Sequence, residues 1–322
     1  MLKECISARE KRGAILAVIT ACASVIIACL VMIAAAINGL KLGLMLEPAA
    51  YTAAWMSSLC WVCWRHRSPA GDPRLARSAA VILLIFTGGA FGRLTCLVGQ
   101  TFALTLVDQQ LHHADLALGL DVNSIVWAAA SVPKLPSLLR VAYSMPAPII
   151  LMSALLFVWT GRSERAWELC FVFNLCLLVT AVSSIFLPAA GPFYHLHFSD
   201  ALRELLPAGS GIYAVEPLFA LRKATAFNID PTGLFGVACF PSFHTMMALI
   251  AATAWRDIPK LGTVMVVWQA LAIVSTIPIG GHYLIDLAGG FVCWAAVQLL
   301  WQRSLAKDER HFNRSIAPMA QP

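Results

Sequence analysis

The sequence predicts an all-α fold, a polytopic transmembrane helical bundle of about eight spans. Three observations predict it. Hydrophobic residues make up 59% of the 322 positions and charged residues 12%, where a soluble domain carries about 45–50% and about 25%. The chain divides into apolar runs near the roughly 20 helical residues that cross a hydrocarbon core about 30 Å thick. Basic residues recur in alternate gaps between those runs, as the positive-inside rule requires.

The runs are 13–38, 44–64, 78–99, 138–160, 166–188, 241–256, 261–280 and 282–302. The first is too long and too weakly terminated for a cleaved signal peptide. The sixth is short. Basic residues mark the N-terminal tail (Lys3, Arg9, Lys11, Arg12) and the 65–77 loop (Arg65, Arg67, Arg74, Arg77). They mark the 161–165 loop (Arg162, Arg165), the 256–260 loop (Arg256, Lys260) and the C-terminal tail (Arg303, Lys307, Arg310, Arg314). With eight spans all of these lie on one side, so both termini are expected in the cytoplasm and the chain in the inner (plasma) membrane. Residues 1–77 read as an N-terminal pair of membrane helices, 78–305 as a catalytic membrane domain and 306–322 as a cytoplasmic tail.

The net charge of +6 belongs to these loops, so no nucleic-acid partner is expected. Cysteines sit mostly in apolar runs, where a thiol behaves as a small buried hydrophobe. Cys60 and Cys63 form a lone CxxC in a Trp-rich run and do not read as a metal site. Two long segments face outward. Residues 100–137 carry Asp108, Asp115 and Asp121, and read either as an amphipathic helix on the membrane surface or as a cap on the bundle. Residues 189–240 are rich in Gly, Pro and aromatics. His112-His113 and His195-x-His197 lie in these segments without a compact ligand set, so no metal is expected there.

Chemistry concentrates near the C-terminus. Phe240-Pro241-Ser242-Phe243-His244-Thr245 leads into one apolar helix, and Gly280-Gly281-His282-Tyr283-Leu284-Ile285-Asp286 leads into another. The two histidines are 38 positions apart; two crossings and a turn take about 40 residues. Both imidazoles should therefore return to the same outer face, each at a helix start. Helix N-termini favour anions, phosphate above all. Ser242 can cap its helix or bind a phosphate oxygen, and Gly280 and Gly281 let backbone approach a ligand. His282 and Asp286, spaced i, i+4, share one helical face. A carboxylate beside an imidazole fixes its tautomer and leaves the other nitrogen free to attack, and His244 can protonate a departing alkoxide.

At these residues the chain resembles the type 2 phosphatidic acid phosphatase superfamily. Pro241-Ser242-Phe243-His244 is similar to its second motif, and Ser275 through His282 to Asp286 to its third. The forms FPSFHT and GGHYLID, with Pro188-Ala-Ala-Gly-Pro-Phe193 upstream, look most like the inositolphosphotransferase branch that contains inositol phosphorylceramide synthase. The resemblance covers roughly 180–300 and implies a core like the six-helix fold of that superfamily. It implies that His282 is a nucleophile forming a phosphohistidine, that Asp286 orients it, that His244 is the acid and that Ser242 holds phosphate. No cofactor or metal is implied. Two positions depart from the pattern. Thr276 stands where the third motif commonly has Arg, and no clean first motif is present. The cationic clamp is therefore expected from elsewhere. Arg222 and Lys223 come first, then Arg93 (otherwise paired with Asp108 or snorkelling), then Arg140.

The function expected is transfer of a phosphoryl or head-group phosphate from a lipid phosphate to a polyol or lipid-alcohol acceptor in the bilayer. The alternatives are a lipid phosphatase, with water as acceptor, and a non-enzymatic lipid transporter or binding protein.

Overall fold

The computed structural model describes residues 7–68 and 70–316. The long helices are α1 (Ala8–Ile37), α2 (Leu46–Arg65), α3 (Pro73–Gln100), α8 (Ser163–Phe186) and α14 (Leu284–Ile316). Shorter ones are α4 (Asp108–Ala117), α5 (Val122–Ala130), α6 (Leu135–Ser144), α7 (Pro146–Trp159), α9 (Pro192–His195), α10 (Asp200–Glu204), α11 (Val215–Arg222), α12 (Phe243–Ala254) and α13 (Pro259–Ser275). Two four-residue strands, β1 (Lys41–Leu44) and β2 (Ala226–Ile229), pair in parallel with Lys41 opposite Ala226.

Every apolar run in the sequence is helical, but the runs differ in how they meet the span criterion. Among the described residues, four helices are long and apolar enough to cross a membrane, those over Arg9–Ile37, Pro73–Gln100, Ser163–Phe186 and Leu284–Leu305, and the bent pair Val122–Ala130 and Leu135–Ser144 would make a fifth if it is one span. Helix α2 has no buried residue and lies at the edge against α3. The run 138–160 is broken. α6 ends at Ser144 and α7 begins at Pro146, whose ring has no N–H to continue the ladder. Helices α7, α12 and α13 have 14, 12 and 17 residues, fewer than a span needs. Helix α12 packs against α7, α8, α13 and α14. It therefore meets protein where an isolated span would meet lipid, and its length is set by neighbours.

The packing is that of a membrane bundle. On α1, Ala17, Ala21, Ala28 and Ala35 are buried while Ile15, Ile19, Ile26, Leu30 and Ile33 are exposed. Small residues let backbones approach when helix association gains nothing from leaving lipid. Helices α1, α3 and α8 pack against one another on this basis. The main core lies between α7, α8, α12 and α14, around Phe157, Trp167, Phe171, Ile250 and Trp301.

The basic loops meet at one end. Arg77 pairs with Glu10 at 2.8 Å, Arg9 with Glu164 at 3.5 Å, and Arg162 with Asp257 at 2.8 Å. Buried Glu168 receives Arg165 at 2.7 Å and Arg256 at 3.1 Å. A buried carboxylate is tolerable when paired in this way. At the opposite end the segments 100–137 and 189–240 fold into a second core around Val126, Phe193, Leu202, Cys239 and Tyr283. The sequence reading of 100–137 left open a surface helix or a cap; α4 and α5 lie in this second core.

Candidate active site

The site lies where α12 and α14 begin. Ser242 is the N-cap of α12, and its hydroxyl accepts from the Thr245 N–H at 3.3 Å. It is wholly buried, and of the two roles open to it the cap is the one seen. The Ser242 N–H donates to the Asp286 carbonyl at 3.0 Å, which stitches the start of α12 to the start of α14. His244 sits in the first turn of α12.

His282 and Asp286 do not share a helical face as their spacing suggested. His282 lies two residues before α14, and Asp286 lies in its first turn. They meet because Asp286 reaches back, as the acidic residue of a capping box does. Its Oδ2 accepts from the Tyr283 N–H at 2.9 Å and lies 3.1 Å from His282 Nδ1. Asp286 is 0% and His282 3% exposed. The same Oδ2 accepts from the Cys239 thiol at 3.1 Å. Burial and the neighbouring carboxylates push the Cys239 thiol up, so it stays protonated and able to donate.

The loop before His282 is shaped by close backbone approach. Gly281 has φ +73°, and a Cβ there would fall 2.6 Å from the Gly211 carbonyl oxygen, so only glycine suits the position. The Gly211 N–H donates to the Ile279 carbonyl at 2.8 Å. Thr276 is wholly buried and its carbonyl accepts the His282 N–H at 3.2 Å. Position 276 thus supplies a backbone support for His282 and not a cation.

The two imidazoles converge. His244 lies within Coulombic reach of His282 and of Arg93. A methyl group on Gly280 would meet Tyr143 Cε2 at 2.8 Å and His282 Cδ2 at 3.1 Å. Tyr143 in turn stacks on His244, with ring centroids 4.0 Å apart and an interplanar angle of 17°. Arg93 is exposed, and no hydrogen bond or ion pair joins it to a described residue. It is not paired with Asp108, whose oxygens are taken elsewhere. Arg222 donates to the Leu104 carbonyl at 2.6 Å; burial pulls its guanidinium down from the usual arginine range and Asp108 opposes this. Lys223 is exposed at the end of α11. Arg140 donates to the Ala208 carbonyl at 2.7 Å. Among the described residues, no hydrogen bond or ion pair joins Arg222, Lys223 or Arg140 to either imidazole.

Two carboxylates of α4, Asp108 offered by the sequence only as a partner for Arg93 and Asp115 given no role at the site, brace this loop. Asp108 accepts from the N–H groups of Ala190 at 2.9 Å and Gly191 at 2.8 Å, and from the Tyr283 hydroxyl at 3.0 Å. Asp115 accepts from the N–H groups of Leu284 at 2.9 Å and Ile285 at 2.8 Å. It thus caps α14 from another helix, supplying the negative charge that a helix N-terminus favours. Burial pushes the Asp115 carboxyl up and the two N–H donors oppose this. The signal was present in the sequence: Asp108, Leu111 and Asp115 are spaced i, i+3, i+7 and all are buried, so acids occupy an apolar stripe. Replacing Asp115 by alanine strands two buried N–H groups. The expected result is a loss of about 2 kcal/mol or more of stability, read as a lower Tm in detergent, with turnover lowered at least about tenfold. An unchanged Tm would count against the brace.

His112 and His195 approach with ring centroids 5.9 Å apart, and His113 stands 6.4 Å from His112. Among the described residues, the one close group of potential metal ligands is Cys239, His282 and Asp286. Their mutual contacts are the hydrogen bonds already described.

A family model described as the PAP2 superfamily matches residues 109–300. That stretch runs from α4 into α14 and includes both histidine motifs. No curated protein and no solved structure matches the chain.

Proposed function

This chain belongs to the PAP2 superfamily, and from that premise we propose that it is a membrane-embedded phosphoryl-transfer enzyme acting on a lipid phosphate ester through a phosphohistidine. Membership supports a lipid phosphatase-type activity in a membrane. The finer reading rests on one observation above all. The Nδ1 of a buried imidazole is held 3.1 Å from a buried carboxylate, and Gly280 lies between that ring and the Tyr143 ring that stacks on the second imidazole.

In the first half-reaction His282 Nε2 attacks phosphorus, and the bond from phosphorus to the lipid alkoxide breaks. His244 gives its Nε2 proton to that alkoxide, which leaves as an alcohol. Asp286 takes the positive charge that develops on His282 against its own negative charge. In the second half an acceptor hydroxyl gives its proton to His244 and attacks phosphorus. The phosphorus–nitrogen bond breaks and both histidines return to their starting states. The two imidazoles are set apart by their partners. His282 has a carboxylate, which suits a nitrogen that must carry positive charge. His244 has a phenol ring and a nearby guanidinium, which suits a group that must release its proton.

We assign the phosphate clamp to Arg93, an exposed guanidinium with no hydrogen bond or ion pair to a described residue, as the charge that Thr276 does not supply. Arg222 and Lys223 are then steering charges on the approach, and the Gly281 N–H, which donates to the Ile277 carbonyl at 3.2 Å, is left out of the clamp. The loop charges argue that the site opens on the outer face, with 78–305 as the catalytic unit. The likeness of FPSFHT and GGHYLID to the inositolphosphotransferase branch favours an alcohol, a polyol first, over water as acceptor.

The test uses purified full-length protein, a lipid phosphate labelled in its phosphoryl group, and a metal chelator throughout. Label should appear on a polyol when one is supplied, and as inorganic phosphate when none is. Inorganic phosphate in both cases would leave a phosphatase; no release in either would remove the enzymatic reading. Arg93→Gln should lower kcat/KM about 100-fold, against a change within about threefold for Lys41→Gln on the same scale. Equal effects would take Arg93 out of the site.

A further inference from the structure

Two aromatic hydroxyls outside both histidine motifs stand between the imidazoles and a loop. Tyr143, near the end of α6, faces His244 in a near-parallel stack. Its hydroxyl lies 3.2 Å from His244 Nδ1 and 3.1 Å from the hydroxyl of Tyr213. With the rings only 17° from parallel, the phenol oxygen approaches Nδ1 largely from above the ring plane. The stack is therefore the stronger of the two contacts and the hydroxyl a lateral stop. An aromatic face attracts a cationic ring held against it, so Tyr143 suits the protonated imidazole without neutralising it as a carboxylate would.

Tyr213 connects this support to the other histidine. It closes the turn over 209–213, in which the Tyr213 N–H donates to the Gly209 carbonyl at 3.1 Å. Two residues earlier, Gly211 bonds to Ile279 and lies against Gly281, beside His282. One short turn thus touches the backbone before His282 and the side chain that holds His244.

We propose that Tyr143 is a positioning residue for His244, and that the 209–213 turn, through Tyr213, sets the placement of the two imidazoles relative to each other. The inference rests on the reading of His244 as the acid that protonates the departing lipid alkoxide. The phenol oxygen lies over Nδ1, which leaves Nε2 as the nitrogen open to exchange a proton with substrate. A stack fixes the plane of the imidazole, and therefore the direction of its Nε2–H. A ring free to turn would still carry a proton but deliver it in the wrong direction, and misplacement of this kind is costly in rate.

The leaving group separates this role from a structural one. An alkoxide leaves poorly without a proton, whereas a nitrophenolate leaves without one. Full-length wild type, Tyr143→Leu, Tyr143→Phe, Tyr213→Phe and His244→Ala are assayed on a lipid alkyl phosphate and on p-nitrophenyl phosphate, with Tm followed in parallel. Removing general-acid action costs about 100-fold or more. Tyr143→Leu should lose about that much in kcat on the alkyl ester, and under about fivefold on the aryl ester. Tyr143→Phe, which keeps the stack, and Tyr213→Phe should lose less, in the same substrate-selective way. Equal losses on both esters, from Tyr143→Leu or, should that variant not fold, from Tyr143→Phe, would make the role structural and overturn the proposal. So would unchanged rates. The His244→Ala reference keeps the two levels apart. If it shows the selectivity and the tyrosine variants do not, Tyr143 fails alone. If His244→Ala itself shows none, the acid assignment fails and the inference fails with it.

Discussion

Replacing His282 by glutamine is expected to stop turnover, lowering kcat at least about ten-thousand-fold, and to abolish any trapped phosphoenzyme. The wild-type protein, quenched during reaction with a labelled lipid phosphate, should carry label that is lost in acid and kept in base, as a phosphoramidate is. Glutamine is the informative substitution because its amide can still donate to Asp286 Oδ2, which lies 3.1 Å from the nitrogen it replaces. The backbone bond from the residue 282 N–H to Thr276 is independent of the side chain. Tm should therefore move little, and the loss can be assigned to the missing nucleophile. Turnover within about tenfold of wild type would end the phosphohistidine mechanism, whatever became of the rest of the site.

The second large effect is expected from Asp286→Asn. In the wild type one oxygen, Oδ2, lies beside His282 Nδ1 and takes the Cys239 thiol and the Tyr283 N–H. The same oxygen serves the Tyr283 N–H and His282, so an asparagine that turns its NH2 group to His282 gives up the Tyr283 bond. Nδ1 must then accept, the proton moves to Nε2, and the nitrogen that should attack has no free lone pair. The expected loss is about 10⁴-fold in kcat with KM within about threefold, since no contact to substrate is removed. The measurement is a full kinetic comparison with Tm alongside. A loss confined to KM, or a kcat loss of less than about tenfold, would show that the carboxylate does not set the tautomer.

The parts of this site that could be read in the sequence are the local ones. His282 and Asp286 are four residues apart, Ser242 and His244 two, and the gap between the motifs has the length of two crossings. Each relation is a matter of short separation along the chain, which sequence reports directly, although His282 and Asp286 meet through a helix cap and not on one helical face. Asp115 acts on Leu284 across 169 positions and Tyr143 on His244 across 101, and nothing in local periodicity reports such distances. Cys239 lies just before the second motif, yet its partner Asp286 is 47 positions on. The bundle was legible as apolar runs but not as span lengths. A run of hydrophobic residues does not say whether it faces lipid or other helices, and α12, ringed by helices, is short for that reason. The parallel pair β1–β2 left no trace. Four residues between two apolar runs look the same whether they turn in solvent or find a partner far along the chain.

That pair ties the fate of the amino-terminal hairpin to the reactive end of the molecule. Lys41–Leu44 lies in register with Ala226–Ile229, and flanking bonds join Lys41 to Thr225 and Met45 to Ile229 at 2.9 and 3.0 Å. The downstream strand comes ten residues before the loop that carries Phe240 and Pro241. Removing everything before α3 would leave Ala226–Ile229 with a bare flank of amide and carbonyl groups, an invitation to adhere to another chain. During synthesis the upstream strand must also wait, unmatched, until some 180 further residues have emerged. The first hairpin is thus committed to the membrane early and zipped to the catalytic region late.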